Sequence, residues 1–370
     1  MRGFAVGRSG ATSGSRTLGR KLKSLTAATT LVLGALGLPT AVRADEGGVS
    51  FWLPGLFGSL AAAPQTPGWS FAAVNYFTSV SASGKIAAAR EITISRLKGS
   101  VNANFDVNLK ADVNLVLLNP SYVFATPVFG GQLALGLMGL VGVNNTSLNG
   151  MLTAGFDHFT ATQQGSISDS TSGFGDLYPQ MTLRWNSGVN NYMTYLTGDI
   201  PVGNYSSNQL ANLGIGHGAI DGGAGYTYFD PTSGHEFSFV TGLTYNFTNQ
   251  STDYQNGINW HLDWGASQFL SKQFFVGAVG YFYAQLSPDR GSAPILGPIE
   301  SQVIGVGPQI GFIIPTGATQ TFLGLKAYGE FDGHDRPSGW NAWLTLSFSP
   351  AAQAPETAHN LPLVGKVSAR

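Results

Sequence analysis

The six histidines are the side chains best suited to catalysis or metal binding, and their spacing supports neither. They stand at positions 158, 217, 235, 261, 334 and 359. His235-Glu236 lacks the second histidine of the His-Glu-x-x-His zinc motif, and it lies in a strand pattern instead of a helix. The chain has no Cys, which excludes thiol catalysis and Cys-ligated zinc. We therefore expect no metal and no cofactor.

A hydrolase built on Ser and His is the remaining catalytic alternative. The chain contains no Gly-x-Ser-x-Gly elbow, which many serine hydrolases use to expose their nucleophile. His261 and Ser267 supply the two residue types, but their spacing alone gives no support for a catalytic pair. The sequence predicts a protein that is not an enzyme.

The other ionisable residues alternate with apolar ones, which is the periodicity of β-strands. Asp176 and Arg184 occupy even positions, as do the other polar residues of this stretch. Leu177, Leu183 and Trp185 occupy odd positions. Polar faces should meet water, because a charge facing lipid at the membrane midplane costs about 2–4 kcal/mol. The predicted water-facing residues are Asp176, Arg184, Asp199, Asp221, Glu236, His261, Asp263, Lys326, Tyr328 and Glu330.

These residues predict an aqueous interior with an excess of acids. Asp106, Lys110 and Asp112 follow the same rule and add both signs. Any ionic leak through such an interior should favour cations, as rings of carboxylates do.

Residues 101–117 carry the clearest alternation in the chain, with an apolar side chain at every odd position. The run is too long for an ordinary strand of about 5–6 residues and fits a strand that crosses a bilayer, which needs about 9–11. The pattern indicates a membrane β-barrel.

The N-terminus is typical of an exported protein. Arg16, Arg20, Lys21 and Lys23 precede an apolar stretch over residues 25–38. Residues 1–44 are predicted to be a signal peptide cleaved after Ala44, since about 14 apolar residues fall short of the roughly 20 that a helical anchor needs. Seven of the 19 Lys and Arg and none of the 20 acids lie in this segment, so the mature net charge is 12 − 20 = −8. An acidic chain argues against nucleic acid as a partner.

Strand-like stretches separated by alternating short and long links predict an all-β fold, a transmembrane antiparallel up-and-down barrel of about 12 strands over residues 67–349. An even strand count puts both chain ends in the periplasm, where residues 350–370 should form a disordered tail. The longest predicted outer loop covers residues 144–175. The predicted strands are 69–80, 101–126, 132–143, 176–185, 191–200, 219–229, 236–247, 258–269, 274–286, 303–314, 320–331 and 340–348.

Aromatic residues near the predicted strand ends should form the two interfacial girdles of such a barrel. Trp69 and Trp185 lie near the short links. Trp260, Trp264, Tyr281, Tyr283 and Trp340 lie near the long links. A soluble β-sandwich, which would use aromatics in its core, is the alternative.

An apolar segment, residues 45–66, precedes the first strand. Phe51, Trp52, Leu53 and Phe57 are too apolar for an exposed periplasmic position. One hypothesis is a plug in the periplasmic mouth, seated against lumen aromatics such as Phe322 and Tyr328. The other is an amphipathic segment in the membrane interface.

Several motifs occur in the order found in one family. They include Gly173-Phe174-Gly175-Asp176-Leu177-Tyr178-Pro179, Ile200-Pro201-Val202-Gly203-Asn204-Tyr205, Thr252-Asp253-Tyr254-Gln255-Asn256-Gly257 and Gly280-Tyr281-Phe282-Tyr283-Ala284-Gln285. From about Trp69 to Phe348 the chain resembles the outer-membrane family named after the meta-pathway of phenol degradation. The resemblance implies a Gram-negative outer-membrane channel for passive uptake of small hydrophobic or aromatic compounds.

The partners expected of such a protein are outer-membrane lipid, a small-molecule solute and, during biogenesis, the barrel assembly machinery. The strand at 340–348 is similar to the C-terminal strand that this machinery reads. A structural or surface-interaction barrel, with residues 144–175 as the functional part, remains an alternative function, and an outer-membrane hydrolase is another.

Overall fold

The computed structural model describes residues 50–83, 102–156, 159–291 and 300–351. The predicted signal peptide, and the predicted tail from residue 352 onward, lie outside these residues. Among the described residues, no helix is both long enough and apolar enough to cross a membrane. The strands are β1 Gly68–Ser83, β2 Asn102–Val123, β3 Gln132–Phe156, β4 Phe159–Ser187, β5 Asn190–Asp199, β6 Ala219–Asp230, β7 His235–Asn246, β8 Tyr254–Gln255, β9 Asn259–Ser271, β10 Phe274–Gln285, β11 Arg290–Gly291, β12 Gln302–Thr316, β13 Thr319–His334 and β14 Ser338–Pro350.

Twelve of these strands form one closed antiparallel barrel, in which each strand pairs with its neighbours in sequence. β1 and β14 close the wall, in register from Phe71 opposite Phe348 to Ser81 opposite Ser338. The short β8 and β11 pair with each other outside the barrel wall. The predicted all-β barrel of about 12 strands is confirmed.

The two faces of β7 show why alternating sequences form this wall. Leu243 and Tyr245 are each 50% exposed on the outer surface. Glu236, Ser238 and Thr244 alternate with such residues and are buried on the inner side. Apolar side chains turned outward can face only hydrocarbon without a large loss of hydrophobic free energy, so the outer surface forms a lipid-facing belt.

The β3–β4 connection differs from the predicted outer loop. β3 continues to Phe156 and β4 begins at Phe159, so most of residues 144–175 form a long hairpin that projects beyond the other strands. The Ser, Asn and Gly content of residues 144–175 is typical of a loop. Instead, the two strands pair from Asn144 opposite Thr171 to Phe156 opposite Phe159, and this pairing satisfies the backbone N–H and C=O groups.

The clearest alternation in the sequence, in β2, has the opposite orientation to the one expected for its charges. Leu109 and Leu117 are fully buried on the inner side, whereas Lys110 and Asn114 are exposed on the outer side. Lys110 and Asp112 pair at 3.2 Å on this outer surface and do not line the lumen. β2 has 22 residues, so its outer half lies beyond the lipid, where polar side chains can face outward. The side chain of Asp106 lies outside the described part of the chain.

The prediction that aromatic residues form interfacial girdles agrees with the structure for some residues and is wrong for others. Trp69 and Trp340 are exposed on the outer surface, as predicted. Tyr281 and Tyr283 are buried inside, and Phe282 between them faces outward. In a Tyr-Phe-Tyr sequence both faces are aromatic, so residue type alone cannot show which face meets lipid.

Candidate functional site: the lumen and its N-terminal segment

Residues 50–66 form an irregular segment that lies inside the barrel. They hydrogen-bond or stack against inward side chains from strands distributed around the wall. Since only a chain within the lumen can reach so many strands, the segment lies in the interior. The wall residues contacted are Tyr178 of β4, Tyr195 of β5, Thr227 of β6, Glu236 of β7, Asp263 of β9, Gln309 of β12 and Lys326 of β13.

The segment enters from the end of the barrel that carries the short turns, which faces the periplasm in such barrels. Gln65 lies at this rim, where its N–H donates to Gln132 at the start of β3. Trp52 lies between Tyr195 and His261. Tyr195 and His261 stand about 12 and 25 Å above the periplasmic ends of their strands, if each residue rises about 3.3 Å along a strand tilted by about 40°. The segment therefore extends beyond the periplasmic mouth into the middle of the lumen.

Asp263 binds the upper part of the segment through its backbone. Its carboxylate accepts hydrogen bonds from the N–H groups of Gly55 at 2.9 Å and Phe57 at 3.0 Å. An irregular buried chain needs partners for its amides, and a carboxylate can satisfy two at once. Asp263 was predicted as a lumen residue from parity, and the structure places it as an anchor for the segment.

Lys326 binds the carbonyl groups of the same turn. Its Nζ donates to the carbonyl oxygens of Gly55, Leu56 and Phe57 at 2.5, 2.9 and 3.1 Å. Gly55 has a φ of +87°, and a Cβ there would stand 2.9 Å from the ring of Tyr328. The turn therefore requires glycine at position 55, with Tyr328 against it and Lys326 over its carbonyls.

The lower part of the segment is held by a second group of inward side chains. Glu236 accepts the Leu60 N–H at 2.8 Å, and the hydroxyl of Thr227 accepts the Ala62 N–H at 2.9 Å. Arg184 donates to the carbonyl of Ala61 at 3.4 Å and to the side chain of Gln65 at 3.0 Å. Together with the bonds to Asp263 and Lys326, these bonds tether the segment to the wall from Gly55 to Gln65.

Some of the anchors were not predicted. Ser267 and Gln309 both hydrogen-bond the hydroxyl of Ser59, at 2.7 and 2.6 Å. Both follow the inward parity of their strands, so the same alternation rule could have identified them. Ser267 is also the proposed partner of His261 in a hydrolase. The two side chains are six residues apart on one strand, about 20 Å, so they do not form a catalytic pair.

An aromatic cluster surrounds Trp52 at the upper end of the segment. The indole stacks on the His261 ring, with centroids 3.6 Å apart and an interplanar angle of 12°. Phe57 and Tyr195 lie 5.9 Å from Trp52 by ring centroids. Trp52 is 2% exposed, so the cluster encloses its indole within the lumen.

His261 itself belongs to a buried polar group of the wall. Its Nε2 lies 2.9 Å from Asp221 Oδ2, and the hydroxyl of Thr244 donates to the same carboxylate oxygen at 2.5 Å. Tyr195 Oη lies 3.3 Å from His261 Nε2. Among the described residues, no cluster of three or more His, Asp and Glu could hold a metal ion.

The outer end of the lumen is covered by an inward-folded loop, residues 200–218. Asp176 holds it by accepting the N–H groups of Gly203 at 2.7 Å and Ile215 at 2.8 Å. Leu213 and Ile215 of this loop pack in the same apolar cluster as Phe51. The loop therefore meets the upper end of the segment.

Asp199 and Glu330 are the two remaining residues predicted to face water. Asp199 is buried at the end of β5. Glu330 accepts a hydrogen bond from the Tyr281 hydroxyl at 2.6 Å and one from the Gly339 N–H at 2.8 Å. Most of the predicted lumen acids therefore bind protein groups, and few remain to attract a passing ion.

The wall formed by β2 and β3 has a different chemistry from the anchoring side. Its inward residues Leu115, Leu117, Met138 and Leu140 are buried and pack in one cluster with Phe51. The lumen thus has an apolar side and a polar side, with the segment bound mainly to the polar one.

Comparison with known proteins shows where this barrel belongs. A model of the family described as "Putative MetA-pathway of phenol degradation" matches residues 95–346. The COG4313 outer membrane channel from Pseudomonas putida F1 is similar in structure, with 14% identity over 80% of this chain and 99% of that chain and a TM-score of 0.52.

Two further solved structures show lower similarity. A Pseudomonas aeruginosa FadL homologue has 8% identity over 85% of this chain and 98% of that one, with a TM-score of 0.40. The CymD monoaromatic hydrocarbon channel has 6% identity over 86% and 99%, with a TM-score of 0.36. No curated protein sequence matches significantly. The closed barrel and its lipid-facing belt place the chain in a Gram-negative outer membrane, and the family match over most of its length shows that it belongs to the family of the MetA pathway of phenol degradation.

Proposed function

We propose that the chain is an outer-membrane channel for passive uptake of small hydrophobic or aromatic compounds, with residues 45–66 as an internal plug. The observation that carries this proposal is the described part of that segment, which lies inside the lumen without regular secondary structure. Its anchors include a few hydrogen bonds each to Asp263 and Lys326 and one each to Glu236 and Thr227, all of which water could replace. A plug held in this way can be displaced without unfolding the barrel.

The apolar side of the lumen supports the class of solute. Leu115, Leu117, Met138 and Leu140 form a continuous inward surface beside Phe51. Apolar side chains that face a lumen need an apolar partner, because each one of that size loses roughly 1.5–3 kcal/mol when it faces water. When the plug moves away, an aromatic solute can take its place against this wall and against the ring of Tyr178. In the structure the ring centroids of Tyr178 and Phe51 are 5.6 Å apart.

Reconstitution tests the proposal directly. Removing residues 45–66 while keeping the signal peptide should leave a folded barrel with a larger and less selective conductance. Liposomes containing this variant should take up phenol faster than those with the full chain. Unchanged conductance and unchanged phenol uptake would show that the segment does not gate the lumen.

The remaining features are proposals of the same kind. Residues 1–44 act as the signal peptide, the residues after β14 as a periplasmic tail, and the barrel assembly machinery inserts the chain. We propose no enzymatic activity, because Ser267 binds Ser59 and lies about 20 Å along β9 from His261. Lipid hydrolysis by the purified protein that was lost in His261→Ala would contradict this.

A surface-interaction role is a second candidate, and the β3–β4 hairpin favours it. The two strands have 25 and 29 residues, whereas β6 and β7 have 12 each. Shortening the hairpin should leave phenol uptake unchanged if the channel is the main function. Loss of uptake would show that the hairpin takes part in transport.

A further inference from the structure

The outward face of the projecting sheet, formed by the outer parts of β1 to β4, has a regular composition. Residues directly opposite each other in antiparallel strands lie on the same face. Ser79, Asp112, Asn145 and Ser170 follow one another across the four strands in this way. Two further rows stand beyond this one, at alternate positions along each strand.

The twelve positions of these three rows contain only short polar side chains and one lysine, and we name them the Ser/Asn face. The two flanking strands, β1 and β4, contribute serine at every position: Ser79, Ser81, Ser83, Ser166, Ser168 and Ser170. The two central strands, β2 and β3, contribute Asn108, Lys110, Asp112, Asn145, Ser147 and Asn149.

The face points away from the lumen. Lys110 and Asp112 have side chains that are 60% and 39% exposed. The alternate positions Leu109 and Leu148 are buried on the other side, where Leu210 of the inward-folded loop covers them. The polar surface is therefore not a part of the channel interior.

The face begins where the lipid-facing belt ends. On β1 the outward residues change from Phe77 to Ser79, and on β3 from Val143 to Asn145. The hairpin rises roughly 30 Å above this boundary, because β3 continues for about 13 residues beyond Val143 and each residue of a tilted strand adds about 2.5 Å of height. A surface continuous with the lipid-facing belt at this height stands among the sugars of the lipopolysaccharide that forms the outer leaflet.

The chemistry of the face matches sugars. Serine hydroxyls and asparagine amides both donate and accept hydrogen bonds, as sugar hydroxyls do. The two charges neutralise each other, since Lys110 Nζ lies 3.2 Å from Asp112 Oδ2. At its outer end the surface forms a shallow depression of about 440 Å³, lined by Asn108, Asn149, Met151, Gln164 and Ser166 among others. A flat neutral polar sheet with a depression offers many hydrogen bonds and little loss of side-chain entropy.

We propose that the Ser/Asn face binds the saccharide part of lipopolysaccharide in the protein's own membrane. The contact orients the hairpin in the outer leaflet and is independent of solute passage through the lumen.

Purified full-length protein tests this with two probes, lipopolysaccharide that carries its core saccharide and lipid A without sugar. Native mass spectrometry should show at least tenfold tighter binding of the saccharide-bearing form. The double variant Ser147→Val and Ser168→Val keeps strand-forming residues but removes two opposed hydroxyls, so this preference should fall about tenfold.

The matched control is Thr248→Val with Ser251→Val, in the loop between β7 and β9 on the opposite side of the barrel. This control should keep the saccharide preference of the parent protein. Equal binding of the two probes, or an unchanged preference in the Ser147/Ser168 variant, would overturn the proposal. So would a dimer that only the parent protein forms, because the face would then bind a second copy of the chain.

Discussion

The strongest test of the plug is to remove one anchor and leave the segment in place. Asp263→Ala deletes the carboxylate that accepts the Gly55 and Phe57 N–H groups. A hydrogen bond to a charged group contributes about 1.5–3 kcal/mol, and lumen water will partly replace it. The lower end of this range for two bonds predicts that the bound state of the segment loses about 3 kcal/mol.

This loss has a measurable consequence for conductance. A change of about 1.4 kcal/mol shifts an equilibrium tenfold, so the displaced state should be populated roughly a hundredfold more. Single-channel recording in planar bilayers should show frequent openings that reach the conductance of the 45–66 deletion. Asp263→Asn keeps one acceptor oxygen and should open less often than Asp263→Ala.

Asp230→Ala is the matched control, since this carboxylate binds Thr232 and Ser233 in a turn at the periplasmic end and makes no hydrogen bond to residues 50–66 among the described contacts. Heat-modifiable migration should confirm that all variants fold. If Asp263→Ala remains as closed as the parent chain while the deletion conducts, Asp263 is not an anchor that limits opening. If the deletion also fails to conduct, the plug hypothesis itself is wrong.

Four further results are expected. Gly265→Val should raise conductance, because a Cβ at residue 265 would stand 2.6 Å from the Ser59 nitrogen, whereas Gly329→Val, with no atom within 4 Å of the added Cβ, should not. Leu243→Lys should impair assembly far more than Thr244→Lys, because Leu243 faces lipid, where a charge costs about 2–4 kcal/mol, and a lysine at 244 would lie beside Asp221; equal heat-modifiable folding would reverse the assigned faces. Ser168→Cys, the only thiol in the chain, should react with an impermeant maleimide on intact cells, while a tag after Arg370 should stay inaccessible; labelling at Arg370 would contradict a periplasmic C-terminus. In the 45–66 deletion, Asp263 and Glu236 lose their segment partners, so reversal potentials should show cation preference, and anion preference would mean that these acids lie outside the constriction.

The strand content of this protein could be predicted from sequence because it depends on local physics. Alternation of apolar and polar residues over about ten positions is incompatible with a helix that buries one face. Each of the 12 predicted strands therefore corresponds to one barrel strand. Parity also located Asp263, Glu236, Arg184 and Lys326 on the inner side, although it could not say what they bind.

The sequence did not reveal which face of β2 points inward. Its apolar residues occupy the odd positions as far as Leu117, whereas Leu118, Pro120 and Tyr122 occupy even positions, because the surroundings change from the outer-leaflet region to lipid partway along the strand. Leu109 and Lys110 could be assigned only by the register with β1 and β3, since a face is defined by its neighbours and not by its own residue types.

Local sequence thus determined that this chain forms long amphipathic strands, an even number of them, preceded by an apolar segment. Tertiary structure alone decided that residues 144–175 extend as a hairpin, that Tyr281 points inward, and that the segment rises into the lumen. The physical reason is that periodicity is a property of a few neighbouring residues. The partners of an inward carboxylate, such as Asp263 with Gly55 across 208 positions of sequence, exist only after the barrel has closed.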